Sequence, residues 1–290
     1  MSGGTVFLEG QDGLPIVADR LGPSSGSLVL LAHGGGQTRH SWKDTAAKLA
    51  SIGYQVVSMD LRGHGESGWA PRDKYRLVDY AGDVEAVVRQ TVSDAGVTFV
   101  GASLGGMAST LIASRLGGIP VNALVLVDVV PRYERGGSSR ISNFMHAYRS
   151  GFANVDEAVA AVSAYKRKPA KPEDRVGLLK NLRTGEDGRL YWHWDPDRLK
   201  PDGKVFSPED IDAVEASAAA LGKPILLVRG VQSDIVDDDG VEAFRAVAPQ
   251  LEVSMVADAE HMVVGDNNAV FGAVLIDFLR RVAPPAPIEA

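Results

Sequence analysis

The chain has 290 residues, 45% hydrophobic and 23% charged, an ordinary balance for a globular protein that buries a real core. Its net charge of −7 argues against a concentrated basic face of the kind nucleic-acid phosphates require, and no apolar stretch approaches the roughly 18 residues of a membrane-spanning helix. The absence of cysteine excludes disulfides, thiolate metal sites and a cysteine nucleophile; the first fifteen residues lack the pattern of a secretory signal, so a cytoplasmic protein is expected.

Residues 5–9 and 15–19 flank Gln11, Asp12 and Gly13 as a hairpin. The continuous apolar run 27–32 reads as a strand covered on both faces, 40–51 as a helix stopped by Gly53, and 54–59 as the next strand. Helical spacing of Leu77, Tyr80, Val84, Val87 and Val88 marks 75–92; a short strand at 98–101 leads into a helix over 104–116, and 123–128 is another buried strand. Alternation resumes with a strand at 224–230, a helix at 241–248, a strand at 251–256 and a helix at 268–282. This order predicts an α/β fold whose mostly parallel sheet carries helices on both faces. Between 131 and 223 the strand runs disappear, and the segment holds basic clusters and a compact group of Tyr191, Trp192, His193 and Trp194. It reads as a helical cap inserted into a core of 1–130 and 224–290.

G-A-S-L-G-G at 101–106 matches the nucleophile elbow G-x-S-x-G. The pattern recurs at 22–26, but that copy holds a proline and leads into no helix, whereas Ser103 follows the strand VTFVG and opens a helix. Glycines beside Ser103 let strand and helix approach closely, and the helix start brings backbone N–H groups to a developing oxyanion. The plainer reading of Ser103 is a helix N-cap. H-G-G-G at 33–36 follows a strand and can aim a second N–H into the cleft; Gly35 is the first choice and Gly36 the second, working with the N–H of Leu104. A serine needs a base, and His261, between the last strand and the final helix, stands where one belongs. Asp234, after the strand PILLVRG, and Asp128, ending ALVLVD, are both placed to orient it, with Asp234 preferred.

Together the segments HGGG, DLRGHGES (60–67), GASLGG, RGVQSD (229–234) and EHMVVGD (260–266) resemble the α/β-hydrolase fold superfamily across nearly the whole chain outside the insertion. The resemblance implies an eight-stranded, mostly parallel sheet with a helical cap over the active site, and an acid at either Asp234 or Asp128. Asp60 and Arg62 are then expected to brace loops. Epoxide hydrolases and haloalkane dehalogenases of this fold carry aspartate at the elbow; serine here suits acyl transfer at a carbonyl instead.

The expected reaction is cleavage of a small-molecule ester or lactone by Ser103, with His261 as base and Asp234 as orienting acid, needing neither metal nor cofactor. Trp192 and Trp194 either line the substrate pocket or bury the cap. Carbon–carbon bond hydrolysis, perhydrolase chemistry on the same triad, or a catalytically weak ligand-binding member are the other readings. No membrane or nucleic-acid partner is expected, and the chain is read as a monomer or homodimer.

Overall fold

A computed structural model describes residues 3–132, 143–145, 147–166, 172–179, 181–198, 206–257 and 268–285. Strands β1 (Gly3–Glu9), β2 (Pro15–Leu21), β3 (Leu28–Ala32), β4 (Gln55–Met59), β5 (Val97–Ala102), β6 (Val121–Val127), β9 (Ile225–Gly230) and β10 (Leu251–Val256) form one sheet in the order β1-β2-β4-β3-β5-β6-β9-β10. β1 pairs with β2, and β2 with β4, in antiparallel fashion; every other neighbour is parallel. The expected eight-stranded, mostly parallel sheet is thus present, and its antiparallel edge is the hairpin read from the first twenty residues.

The continuous apolar runs arise because both faces of the sheet are covered. In β3, Leu28, Leu30 and Ala32 enter one core while Val29 and Leu31 enter the other; in β6, Leu124 and Leu126 part in the same way from Ala123, Val125 and Val127. The first core is closed by α2 (Leu77–Thr91), α3 (Leu104–Ala113), α6 (Pro208–Leu221) and α7 (Asp238–Val247). The second is closed by α1 (Lys43–Ser51) and α8 (Asn268–Val282), through Trp42, Leu49, Phe271 and Phe278. Helix α1 starts later than its apolar pattern suggests, because Arg39–Trp42 forms a tight 3₁₀ turn ahead of it.

Within the stretch 131–223, two kinds of packing coexist. Helix α4 (Val155–Lys166), helix α5 (Pro172–Leu179) and a hairpin of β7 (Leu182–Thr184) and β8 (Leu190–Trp192) surround a separate apolar cluster of Met145, Phe152, Ala158, Ala161, Trp192 and Trp194. Helix α6 instead packs on α3: Val214, Ala218 and Leu221 join the main core, and the Ser217 hydroxyl donates to the Thr110 carbonyl at 2.6 Å. The hairpin was not legible as strand because three residues are too few to display a period of two. Among the described residues no helix is long and apolar enough to cross a membrane.

Candidate active site

Ser103 joins β5 to α3 with φ 44° and ψ −113°, a conformation side-chain-bearing residues rarely adopt and one that costs about 1–3 kcal/mol. The glycines around it are sterically required. A Cβ on Gly101 would stand 2.5 Å from the Gly106 backbone, and one on Gly105 would stand 2.4 Å from the Ala32 carbonyl oxygen. The Ser103 hydroxyl does not cap α3. The N-cap reading therefore leaves the turn unexplained, since a capping serine sits in extended backbone and accepts from the first turn. Leu104 begins α3, so its N–H has no intrahelical acceptor.

The loop after β3 lies against this turn: a Cβ on Gly34 would be 3.4 Å from Ser103 Cβ. Hydrogen bonding separates its three glycines. The Gly34 N–H donates to Gln37 Oε1 at 2.9 Å, and the Gly36 N–H donates to His64 Nε2 at 3.2 Å. The Gly35 N–H has no acceptor among the described residues, so it is the one available to a ligand.

Three neutral imidazoles hold this loop. His33 donates from Nδ1 to the Gly34 carbonyl and accepts the Leu61 N–H at Nε2, 3.0 Å away. His64 donates from Nδ1 to the Arg62 carbonyl and accepts from Gly36, while Nδ1 of His193 accepts the Gly65 N–H at 2.7 Å. Burial, the largest cause, pushes His33 down to about 4 and His193 down to about 3, and it drives His64 well below the usual imidazole range. Asp60 and Arg62 brace the adjoining loops: Asp60 accepts the Arg39 and Glu66 N–H groups and pairs with the Arg39 guanidinium, and Arg62 grips Asp83 in two bonds of 2.6 and 2.7 Å.

At the strand ends, Asp128 is fully buried with φ 48°, and β6 lies beside β5 so that Val127 faces Ala102. Its Oδ1 accepts the Gly230 N–H at 3.0 Å and its Oδ2 accepts the Ser233 hydroxyl at 2.6 Å. Asp234 is half-buried in the same loop after β9, so both acids read from the sequence lie at one edge of the sheet. Asp237 caps α7, accepting the Gly240 N–H at 2.7 Å. His261 lies outside the described residues.

The segment 191–198 meets the loops at the strand ends. Asp195 donates its N–H to the Gly63 carbonyl at 2.8 Å and accepts the Tyr75 hydroxyl at 2.6 Å, and burial raises the Tyr75 phenol far above its ordinary value. Of the two tryptophans, Trp194 reaches the loop: a Cβ on Gly36 would lie 3.4 Å from its ring and 3.2 Å from Met145 Cε. Trp192 stacks on Trp194 at 4.6 Å and meets Phe152 edge-on at 5.2 Å, inside the separate apolar cluster. Sequence reasoning missed Arg198, whose guanidinium rests on Gly35; the only hint was its place just after the compact aromatic group. Among the described residues no group of three His, Asp or Glu side chains could hold a metal ion.

A family model described as alpha/beta hydrolase fold matches residues 27–268. The chain is 31% identical over 277 residues to Esterase Rv0045c of Mycobacterium tuberculosis, covering 92% of this chain and 86% of that one. It is 30% identical over 256 residues to the 3-hydroxybutyrate-oligomer hydrolase of Cupriavidus necator, covering 82% and 84%. Among solved structures, that of E-2-(acetamidomethylene)succinate hydrolase superimposes with a TM-score of 0.81 at 21% identity, covering 96% of this chain and 99% of the other, a likeness of fold.

Proposed function

The chain belongs to the α/β-hydrolase fold family and is a hydrolase, and from that premise we propose that it cleaves a carboxylic ester or lactone of a small molecule through an acyl-enzyme on Ser103. The observation that carries this reading is the strained, uncapped serine set beside two backbone N–H groups, of Leu104 and Gly35, that no acceptor occupies among the described residues. A hydroxyl held in that turn has no structural task that a relaxed residue would not perform better.

In the proposed reaction His261 takes the Ser103 proton as the oxygen attacks the carbonyl carbon. Asp234 holds the imidazole in the required tautomer and faces the imidazolium that forms. The tetrahedral oxyanion accepts from Leu104 and Gly35, where loss of one donor typically costs about 3–4 kcal/mol of barrier. Collapse expels the alcohol, which receives the proton from His261. Water, activated by the same imidazole, then releases the acid and restores the serine. Asp128 supports a second reading of the acid, because it is wholly buried at the end of β6 and is held in place by hydrogen bonds from the Gly230 N–H and the Ser233 hydroxyl. Trp194, packed at Gly36, is proposed to wall the substrate pocket, and Trp192 to support it from behind.

The test is fluorophosphonate labelling with peptide mapping, together with hydrolysis of a panel of short-chain activated esters and lactones by wild type and Ser103→Ala. Labelling at Ser103 and a rate that collapses in the variant are expected. Equal rates in the two proteins, or a label on another residue, would refute the assignment.

A further inference from the structure

We propose that Arg198 is a carboxylate anchor, so that the ester or lactone cleaved at Ser103 carries a free carboxylate a short carbon chain from its scissile carbonyl; this rests on the reading of Ser103 as nucleophile. Arg198 ends the 3₁₀ turn Pro196–Arg198 and reaches from the cap segment onto the loop after β3. A Cβ on Gly35 would lie 3.3 Å from its Nη2 and 3.7 Å from its Nη1. Gly34, one backbone step away, stands against Ser103. The cation therefore sits beside the N–H proposed to receive the oxyanion.

The surroundings of this guanidinium do not match its charge. Its Nε is buried with no hydrogen-bond partner among the described residues, Nη2 donates to the Met145 thioether sulfur at 3.3 Å, and the Tyr80 phenol is its hydrogen-bonding neighbour. Among the described residues no carboxylate lies within 4.0 Å of it. Arg198 is half-buried, and the two fully buried arginines differ from it. Arg62 is gripped by Asp83, and Arg39 by Asp60, Asp19 and Glu66. Asp195, which lies close enough to be felt, is already committed to the Tyr75 hydroxyl and to the Asp197 N–H at 2.9 Å. Desolvation lowers the Arg198 pKa from its ordinary value, and its charge helps hold His33, His64 and His193 neutral.

A half-buried arginine whose Nε is enclosed and unpaired is a ready partner for an arriving anion. A guanidinium presents a planar fork that suits a carboxylate in two parallel bonds, and an orphaned Nε–H beside Nη2 supplies the two donors. The aromatic and thioether walls offered by Trp194 and Met145 exclude water around that pair, which strengthens it.

The test compares kcat/KM for 4-nitrophenyl hemiglutarate, which carries the carboxylate, with that for 4-nitrophenyl methyl glutarate, its neutral counterpart, following nitrophenol release. Wild type is expected to favour the hemiester by at least tenfold despite its net negative charge. In Arg198→Met that ratio should fall about 30-fold, and Arg198→Lys should lie between, because an ammonium keeps the charge but not the fork. A wild-type ratio near one, or an equal loss on both esters in Arg198→Met, overturns the proposal; the second result would make Arg198 a support of the cap. Should neither ester react faster than with the Ser103→Ala protein, the nucleophile assignment fails. Glutarate binding by calorimetry then decides the arginine: binding to wild type that Arg198→Lys weakens sustains the anchor, and no binding refutes it.

Discussion

The three histidines behind the loop after β3 make acid the weak point of this fold. Each ring accepts a backbone N–H through a bare nitrogen: from Leu61 at His33, from Gly36 at His64 and from Gly65 at His193. A proton on that nitrogen would turn an acceptor into a donor facing another donor. The folded values of about 4 for His33 and about 3 for His193 lie below the ordinary 6.5 of the unfolded chain. Stability is therefore intact above pH 6.5 and is lost as the pH falls through the window down to the folded values, because the unfolded chain binds protons the folded one refuses. At pH 5 each of these two rings costs about 2 kcal/mol, and the pair about 4 kcal/mol, with His64 acting in the same direction. Urea unfolding followed by tryptophan fluorescence at pH 7, 6 and 5 measures this. In His193→Gln, which does not titrate, the loss between pH 7 and pH 5 should be smaller than in wild type by about 2 kcal/mol, since carboxylate contributions are common to both proteins and cancel. Parallel pH dependence in the two proteins would refute the argument.

Gly105→Ala should lose about 1–3 kcal/mol of stability and most of the activity, since its methyl would meet the Ala32 carbonyl at 2.4 Å and push the loop after β3 off Ser103; thermal melting and ester hydrolysis check it. Asp234→Asn should lower kcat by roughly 10³–10⁴-fold while Asp128→Asn acts mainly on stability, by about 1–3 kcal/mol; the opposite order in steady-state assays would assign the acid to Asp128. Asp83→Asn should cost about 3–5 kcal/mol in denaturant unfolding because it strands the buried Arg62 charge, and Arg62→Met combined with Asp83→Leu should cost less than that single change.

The sheet and its two helical layers were legible because their causes are local. A run such as Leu28–Ala32, apolar at every position, can be satisfied only by cover on both faces, and the apolar spacing from Leu77 to Val88 suits only a helix with one buried side. The elbow was legible for the same reason, since glycines two positions either side of a serine between strand and helix mark a turn too tight for a Cβ at Gly101 or Gly105. Which glycine N–H stays unoccupied could not be read along the chain, because Gly36 is claimed by His64, 28 positions away. Nor could the role of Arg198, which depends on the distance of carboxylates from the rest of the chain; no spacing encodes that. Helix α6 has a helical pattern whether it covers a cap or a core, and only the fit of Val214 and Ala218 against α3 decides between them. Residue order by itself determined which segments outside 131–223 are strand or helix and where a strained serine must sit, since those follow from side-chain volume and periodicity within a few turns of backbone. The tertiary structure alone decided how the buried polar groups are paired, because hydrogen bonds and charges are satisfied by whatever the fold brings near them.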